Sequence, residues 1–301
     1  MTLVECVERM SRRLESAKLS FGHGTTNAFD EAAWLVLWKL GLPPAAPDAL
    51  DEHAARELTA EEQRAVEALV GERIATRKPA AYLTGEAWLQ GVPFYVDERV
   101  IVPRSLIAEP LCDGTLESVW LPASISPPRR VLDLCTGNGS LAVLAALQWP
   151  DAQVQASDLS ADALAVAARN VERHGLAGRI ELRQGDGLAA CGGSGRRFDL
   201  ILCNPPYVNS ASMATLPPEY RAEPALALAG GADGMDFVRG LLANVADHLE
   251  PDGVLVLEIG HEAAHFEAAF PRLPLAWIAT SAGDDQVLLL RRADLAELPP
   301  R

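Results

Sequence analysis

An α/β fold, with a mostly parallel sheet, one antiparallel strand and a helical segment ahead of the sheet, is what this 301-residue sequence predicts. Three observations carry the prediction. From Arg130 onward short apolar runs alternate with helix-length segments, the pattern of strands joined by crossover helices. The first of those runs passes into a glycine-rich turn and then a helix. Before about Ala75 the apolar residues instead repeat at helical spacing.

The helical segment comes first. Thr2-x-x-Glu5 and Thr59-x-x-Glu62 each fit a capping box, in which a hydroxyl and a carboxylate satisfy two orphan amides at a helix start. Val66, Leu69, Val70 and Ile74 share one helical face. Ala28 to Leu42 carries Trp34, Leu35, Leu37 and Trp38, but also Asp30, Glu31 and Lys39. It is too short to span a membrane and reads as a buried core helix stopped by Gly41 and Pro43. A Pro- and Ala-rich stretch, Leu42 to Ala49, joins two of these helices. From Tyr82 to Pro103 the pattern becomes β-like: Glu86 to Leu89 and Pro93 to Val96 flank Gln90-Gly91, a hairpin signal. A helix from about Leu106 to Trp120 and a Pro/Ser linker, Leu121 to Pro128, lead into the sheet. A chain of this length exceeds one usual domain, so residues 1–80 are expected to form a helical substrate-recognition domain, 81–105 a β-hairpin linker and 106–301 the sheet domain.

Within the sheet domain Arg130 to Cys135 reads as a strand entering the turn Thr136 to Ser140; Leu141 to Trp149 follows as a helix that Pro150 stops. Ala152 to Ser157 is a second strand ending at Asp158, and Ile180 to Arg183 a third, followed by Gln184-Gly185-Asp186. Phe198 to Cys203 is a fourth, Gly253 to Ile259 a fifth, and Ala276 to Thr280 pairs with Gln286 to Arg291 across Gly283-Asp284-Asp285.

Open α/β sheets bind ligands along the carboxyl ends of their strands, so the residues just past those ends are the candidates. Gly137 and Gly139 let the backbone approach a ligand closely. Asp158, 21 residues beyond Gly137, is placed to accept both hydroxyls of a ribose, and Asp186 is a second carboxylate on the same edge. Gly137 to Ala142 also fits the G-x-G-x-x-A dinucleotide fingerprint. Against a dinucleotide stands Asp133, on the strand just before the glycines, which would face and repel a pyrophosphate. S-adenosylmethionine has no phosphate and carries an ammonium and a sulfonium, so the same acid favours it. After the fourth strand comes Asn204-Pro205-Pro206-Tyr207. Two prolines fix the backbone and remove two N–H donors, leaving carbonyls facing outward, and the Asn side chain adds an acceptor. A planar NH2 group offers two donors to such a turn, which points to methylation of an amino or amide nitrogen.

On these residues the chain resembles the protein N5-glutamine methyltransferases, a family of class I S-adenosylmethionine enzymes, and within it the branch that modifies large-subunit ribosomal protein three in bacteria. The resemblance runs over nearly the whole chain, through Phe21 to Thr25, Tyr82 to Gly85, Ile101 to Ser105, Asp133 to Gly139, Asn204 to Tyr207 and Leu216 to Met235. The sister branch, which methylates the Gly-Gly-Gln loop of peptide release factors, shares the glycines and the Asn-Pro-Pro-Tyr turn but does not usually carry the Phe21 to Thr25 segment or the Pro218 to Pro224 run. The resemblance implies a Rossmann-like, seven-stranded, mostly parallel sheet. It also implies S-adenosylmethionine held by Asp133, Thr136, Gly137, Asn138, Gly139, Asp158, Leu159, Asp186, Gly187 and Asn204, with the acceptor amide at Asn204, Pro205, Pro206 and Tyr207. In relatives an aromatic residue often follows the third-strand acid and packs on the adenine; here that position is Gly187. Ser105-Leu106-Ile107 stands where relatives commonly have a proline.

An amide nitrogen shares its lone pair with the carbonyl, so holding it in line with the methyl group is the main catalytic work. The Asn204 side-chain oxygen and the Pro205 carbonyl are expected to accept one amide N–H each. No general base is required, because an N-methylated amide cation is itself strongly acidic. Tyr207 either packs on the substrate amide or caps the loop. Substrate choice is expected to reside in Phe21 to Thr25 and Leu216 to Pro224, with Glu219 and Glu223 among acids that steer a basic ribosomal protein.

Charge narrows the partners. The formal net charge is −15, from 41 acidic and 26 basic side chains, which disfavours gripping nucleic acid by phosphate neutralisation and hence DNA N6-adenine methylation, the rival use of the same turn. A non-catalytic nucleotide-binding module would leave the Asn-Pro-Pro-Tyr turn unexplained. The five cysteines form no C-x-x-C pair and read as thiols in a reducing, cytoplasmic compartment. Cys135 and Cys203 are near the site but on apolar strands, as buried thiols rather than nucleophiles. The six histidines show no metal-ligand spacing, and His261 and His265 read as surface residues; no metal is expected. No segment reads as a membrane span or a signal peptide.

Overall fold

Both capping boxes close in the computed structural model, which describes residues 1–44, 48–119, 127–192 and 196–295. In helix α1 (Leu3–Ser16) the Glu5 amide donates to Thr2 Oγ1 at 3.3 Å and the Glu5 carboxylate accepts from the Thr2 amide at 2.8 Å. Asn27 caps α2 (Ala28–Lys39), whose Trp34, Leu35 and Leu37 are buried as expected, while Trp38 is only partly buried at the edge of the same cluster. After the short α3 (Ala49–His53), Thr59 and Glu62 repeat the box at the start of α4 (Ala60–Thr76), at 3.2 and 2.9 Å. The left-handed Arg77 ends α4, and α5 (Ala80–Thr84) follows. These helices pack on one another, on Val96, Val100 and Val102 of the segment that follows, and on Ala163 and Val166 beyond it.

The expected hairpin is present as β1 (Glu86–Leu89) and β2 (Val92–Tyr95). Gln90 and Gly91 both take positive φ, 49° and 73°, which matches the turn to the strand twist. The helix expected over Leu106 to Trp120 is much shorter: α6 (Ala108–Cys112), then a single 3₁₀ turn at Glu117–Val119. The reason is local. Asp113 accepts the Thr115 amide on its own side chain at 2.8 Å and Gly114 turns left-handed, a competing arrangement that ends the helix. Trp120 and most of the expected Pro/Ser linker lie outside the described residues, as do the middle residues of the Pro/Ala stretch after α2.

The sheet domain alternates as its sequence predicts: β3 (Arg130–Leu134), α7 (Ser140–Gln148), β4 (Gln153–Asp158), α8 (Ala161–Arg173), β5 (Ile180–Gln184), β6 (Phe198–Cys203), α9 (Ser210–Thr215), α10 (Pro218–Arg221), α11 (Asp236–Leu242), β7 (Leu249–Glu258), α12 (Ala263–Ala269), β8 (Ala276–Thr280), β9 (Gly283–Arg291) and α13 (Arg292–Leu295). Seven strands lie in the order β5-β4-β3-β6-β7-β9-β8, and β9 alone runs against its neighbours, so the mostly parallel sheet with one antiparallel strand is borne out. The chain runs outward from β3 through β4 to β5, then returns to lay β6 on the other side of β3. The order therefore reverses between β3 and β6, the place where ligands bind in such sheets. Register keeps the strand ends level: Leu134 pairs with both Ser157 and Cys203, and Cys203 with Leu257. Alternate strand residues feed two cores, Val131, Leu200 and Val254 packing with Leu111, Leu144 and Trp149 on one face, and Leu132, Ile201 and Leu255 with Val238, Leu241 and Phe266 on the other. Cys135, expected on a strand, instead lies just past β3 with φ 58° and turns the chain out of the sheet. Among the described residues no helix is long and apolar enough to cross a membrane.

Candidate active site

The turn after β3 is built around two glycines with different tasks. Gly139, with φ 81°, would place a Cβ 3.2 Å from that of Ala167, so a side chain there would push α7 from α8. Gly137, with φ 55°, would place a Cβ in open space, and that space is the cleft. The Gly137 amide donates to Asp158 Oδ2 at 2.9 Å, while Oδ1 accepts from the Ser160 amide at the same distance. The carboxylate retains accepting capacity, and burial raises its pKa against the pull of hydrogen bonds from the Ser160, Gly137 and Leu159 amides. Leu159 beside it is half exposed, and Asp186, past β5, is exposed with a carboxylate that has no partner among the described residues.

Asp133 is fully buried. Its Oδ2 accepts from Thr136 Oγ1 at 2.5 Å and from the Ala142 amide at 3.0 Å, whereas Oδ1 has no partner among the described residues. Burial pushes the carboxyl up to about 7, against the pull of those two hydrogen bonds. Asn138 is also buried: Oδ1 accepts from the Ser140 amide, the backbone carbonyl accepts from Asn170 Nδ2 at 2.8 Å, and its own Nδ2 is left unpaired. Asp133, Thr136, Gly137, Asn138 and Asn204 line one small recess. An unpaired buried carboxylate oxygen there suits a cation, and the recess opens beside Gly137 and Asn204 onto a larger cleft.

That cleft, about 860 Å³ with its open mouth, is lined by Gly137, Asp158, Leu159, Asp186, Gly187, Asn204 and Pro206. The turns after β3, β4, β5 and β6 thus meet, as level strand ends require. The Asn204 side chain makes no hydrogen bond to any described residue and faces the cleft with its amide free. Pro205 is buried and Tyr207 stands off the wall, its hydroxyl donating to Glu258 Oε1 at 3.3 Å. A Cβ on Gly260 would come 2.5 Å from the Tyr207 ring, so that glycine admits the ring. Glu258 was not singled out in the sequence. It is a buried acid at the end of β7 that also accepts from Ser105 Oγ at 2.6 Å and from the Leu106 amide at 2.9 Å, its pKa raised by burial. The only sequence signal for it is one acid closing the apolar run Val254 to Leu257. Cys203 is buried, and burial, then the neighbouring Cys135, raises its thiol pKa.

Glu219 and Glu223 are not surface charges, which corrects their expected part in steering a basic partner. Glu223 is buried and takes Arg104 in a bidentate pair at 2.6 and 2.7 Å, along with the Val102 amide at 2.9 Å. Burial alone would raise this carboxyl, but Arg104 and the neighbouring His23 outweigh it and hold it at about 2. Glu219 accepts from the Ser20 amide at 3.1 Å and pairs with Arg77 at 2.8 Å and Arg73 at 3.6 Å; Arg73 also holds Glu31 at 2.9 Å. The Tyr220 and His23 rings lie 4.3 Å apart, and a Cβ on Gly22 would strike the Tyr220 hydroxyl. Phe21 to Thr25 and the Pro218 to Pro224 run therefore fold as one unit, and Pro224 at its end lines the cleft. His23 is buried in it, whereas His261 and His265 are exposed as expected.

A family model described as the methyltransferase small domain matches residues 119–216. The chain is 55% identical to the ribosomal protein uL3 glutamine methyltransferase of Bordetella pertussis, over 98% of this chain and 96% of that protein. It is 51% identical to the protein of that name from Burkholderia pseudomallei, over 98% and 95%. Among solved structures it is similar to the hMettl16 catalytic domain in complex with the MAT2A 3′UTR hairpin 1, with a TM-score of 0.51 at 15% identity over 84% of this chain and 87% of that one, a likeness of fold.

Proposed function

The chain belongs to the family of ribosomal protein uL3 glutamine methyltransferases, and from that premise we propose that it methylates the side-chain amide nitrogen of a glutamine in uL3, the large-subunit ribosomal protein three. The donor is S-adenosylmethionine, which supplies the methyl group on its sulfonium. Asp158 accepts from the ribose hydroxyls, Gly137 lets the backbone lie close to the ligand, and the unpaired Asp133 oxygen receives the ammonium beside Thr136 and Asn138. Leu159, Asp186 and Gly187 form the far end of the cleft.

The observation that carries the reading is the free Asn204 amide, held at the end of β6 where the small recess meets the main cleft. Its oxygen and the Pro205 carbonyl accept the two N–H bonds of the substrate amide and leave the nitrogen's remaining face toward the donor. Those hydrogen bonds strengthen as the nitrogen gains positive charge, so they stabilise the transition state more than the ground state. Tyr207, tied to Glu258, holds the turn from behind. Residues 1–80 are read as the part that recognises the protein substrate, 81–105 as the linker and 106–301 as the catalytic part. The Arg73 and Arg104 pairs, which tie the first two to the run beyond Tyr207, support that reading.

Tritiated methyl transfer from S-adenosylmethionine, offered uL3, a release factor and duplex DNA in parallel, tests the proposal. Label is expected in uL3 alone, and Asn204→Ala is expected to slow it by about a hundredfold, as loss of a positioned hydrogen-bonding group does, with the fold retained. Label in the release factor or the DNA instead would overturn the substrate assignment.

A further inference from the structure

We infer that Phe237, brought in by α11, is the residue that stacks on the base of the methyl donor, taking the place that the missing side chain of Gly187 leaves open. The inference rests on the donor reading above and goes beyond it by assigning the wall of the base slot to a residue some fifty positions later in the chain.

Gly187 directly follows the exposed carboxylate of Asp186 and has φ 50°. A Cβ built on it would meet Phe237 Cε2 at 3.6 Å and Cζ at 3.7 Å, an ordinary van der Waals contact. The Phe237 ring therefore covers the spot from which a side chain at 187 would emerge. Among the described residues it is the one aromatic lining the cleft, and it is only partly buried, which leaves ring surface open to a ligand. The rest of α11 is fixed, since Val238, Leu241 and Leu242 are buried in the core against the sheet and Asp233 pairs with Arg239. A ring carried on an anchored helix is a pre-organised platform, and adenine needs only a flat apolar partner of that kind. Leu159 supplies a further exposed apolar side chain in the same cleft, and the free Asp186 carboxylate is an acceptor at hand for an exocyclic amino group. The ring also divides the cleft from a second hollow lined by Asp186, Gly187, Asp236 and His248, so removing it would open one side of the base slot.

Calorimetric titration with two adenine-bearing ligands, S-adenosylhomocysteine and methylthioadenosine, tests the assignment. The second lacks the amino-acid tail. Phe237→Ala is expected to weaken both by about tenfold, as loss of one base-stacking ring does, because the ring acts on the base they share. Phe237→Leu, which keeps apolar bulk and the packing of α11, is expected to weaken both by several-fold. Phe237→Trp is expected to bind at least as tightly and to gain a ligand-dependent quench of tryptophan fluorescence that the parent lacks. If the parent binds both ligands and Phe237→Ala binds them equally well, the Phe237 assignment is overturned while the donor reading stands. If the parent binds neither, the donor reading fails and the assignment with it.

Discussion

The two oxygens of Asp133 have different fates in this fold. Oδ2 is satisfied by Thr136 and Ala142, and Oδ1 is buried with no partner among the described residues. Because burial raises the folded-state pKa to about 7, above the value near 3.9 of an unfolded Asp, the protonated form is favoured in the ligand-free fold below about pH 7. Its contribution to stability is full below the unfolded value and is lost as pH rises to about 7. An ammonium placed on Oδ1 reverses the preference and draws the proton off. S-adenosylhomocysteine binding at about pH 6 is therefore expected to release close to one proton, and its affinity to climb as pH approaches 7 and then level off. Asp133→Asn abolishes that release. Calorimetry in buffers of different ionisation enthalpy reads it, and a proton count near zero in the parent would place the ammonium elsewhere. At this scale the sequence was most legible where chemistry is local: Asp133, Gly137 and Asn204 announce themselves by type and spacing. Glu258 and Phe237 do not, because each acquires its place through contacts 51 and 50 residues distant, with Tyr207 and Gly187.

Among the elements, the strands and caps followed from the sequence because a strand end or a capping box is decided within a few residues. Helix α6 was misread for the converse reason, an apolar stretch suggesting a long helix where Asp113 and Gly114 supply a stop. The joining of the segments before β3 to the Pro218 to Pro224 run was not legible, since its partners are far apart in the chain: Ser20 and Glu219 are separated by 199 residues and Arg104 and Glu223 by 119. Arg73 is at the centre of that joint, fully buried between Glu31 and Glu219. Removing one member of a buried ionic cluster leaves charge uncompensated in the interior, so Arg73→Met is expected to lower stability by about 3 to 5 kcal/mol. Urea unfolding measures it. A midpoint equal to the parent's would mean that the two glutamates do not depend on Arg73, and that the Arg77–Glu219 and Arg104–Glu223 pairs with the His23–Tyr220 ring contact hold the joint without it.

For the molecule as a whole, alternation in the sequence foretold a parallel sheet, but the strand order, and with it the reversal between β3 and β6, is set by long-range pairing. That reversal explains why a glycine turn and an Asn-Pro-Pro-Tyr turn some seventy residues apart share one cleft. The acidic balance of −15 remains a feature of the molecule that suits a basic protein substrate, although Glu219 and Glu223 are inside and contribute to architecture rather than to steering. In the proposed reaction the free Asn204 amide presents a glutamine nitrogen of uL3 to the methyl donor. Tandem mass spectrometry of uL3 after incubation with the enzyme and S-adenosylmethionine tests it most directly. The expected product is a single glutamine heavier by one methylene on its side-chain nitrogen, stable to mild base and absent with Asn204→Ala. A methyl group found on a lysine, an arginine or a carboxylate of uL3, or undiminished glutamine methylation by Asn204→Ala, would contradict it.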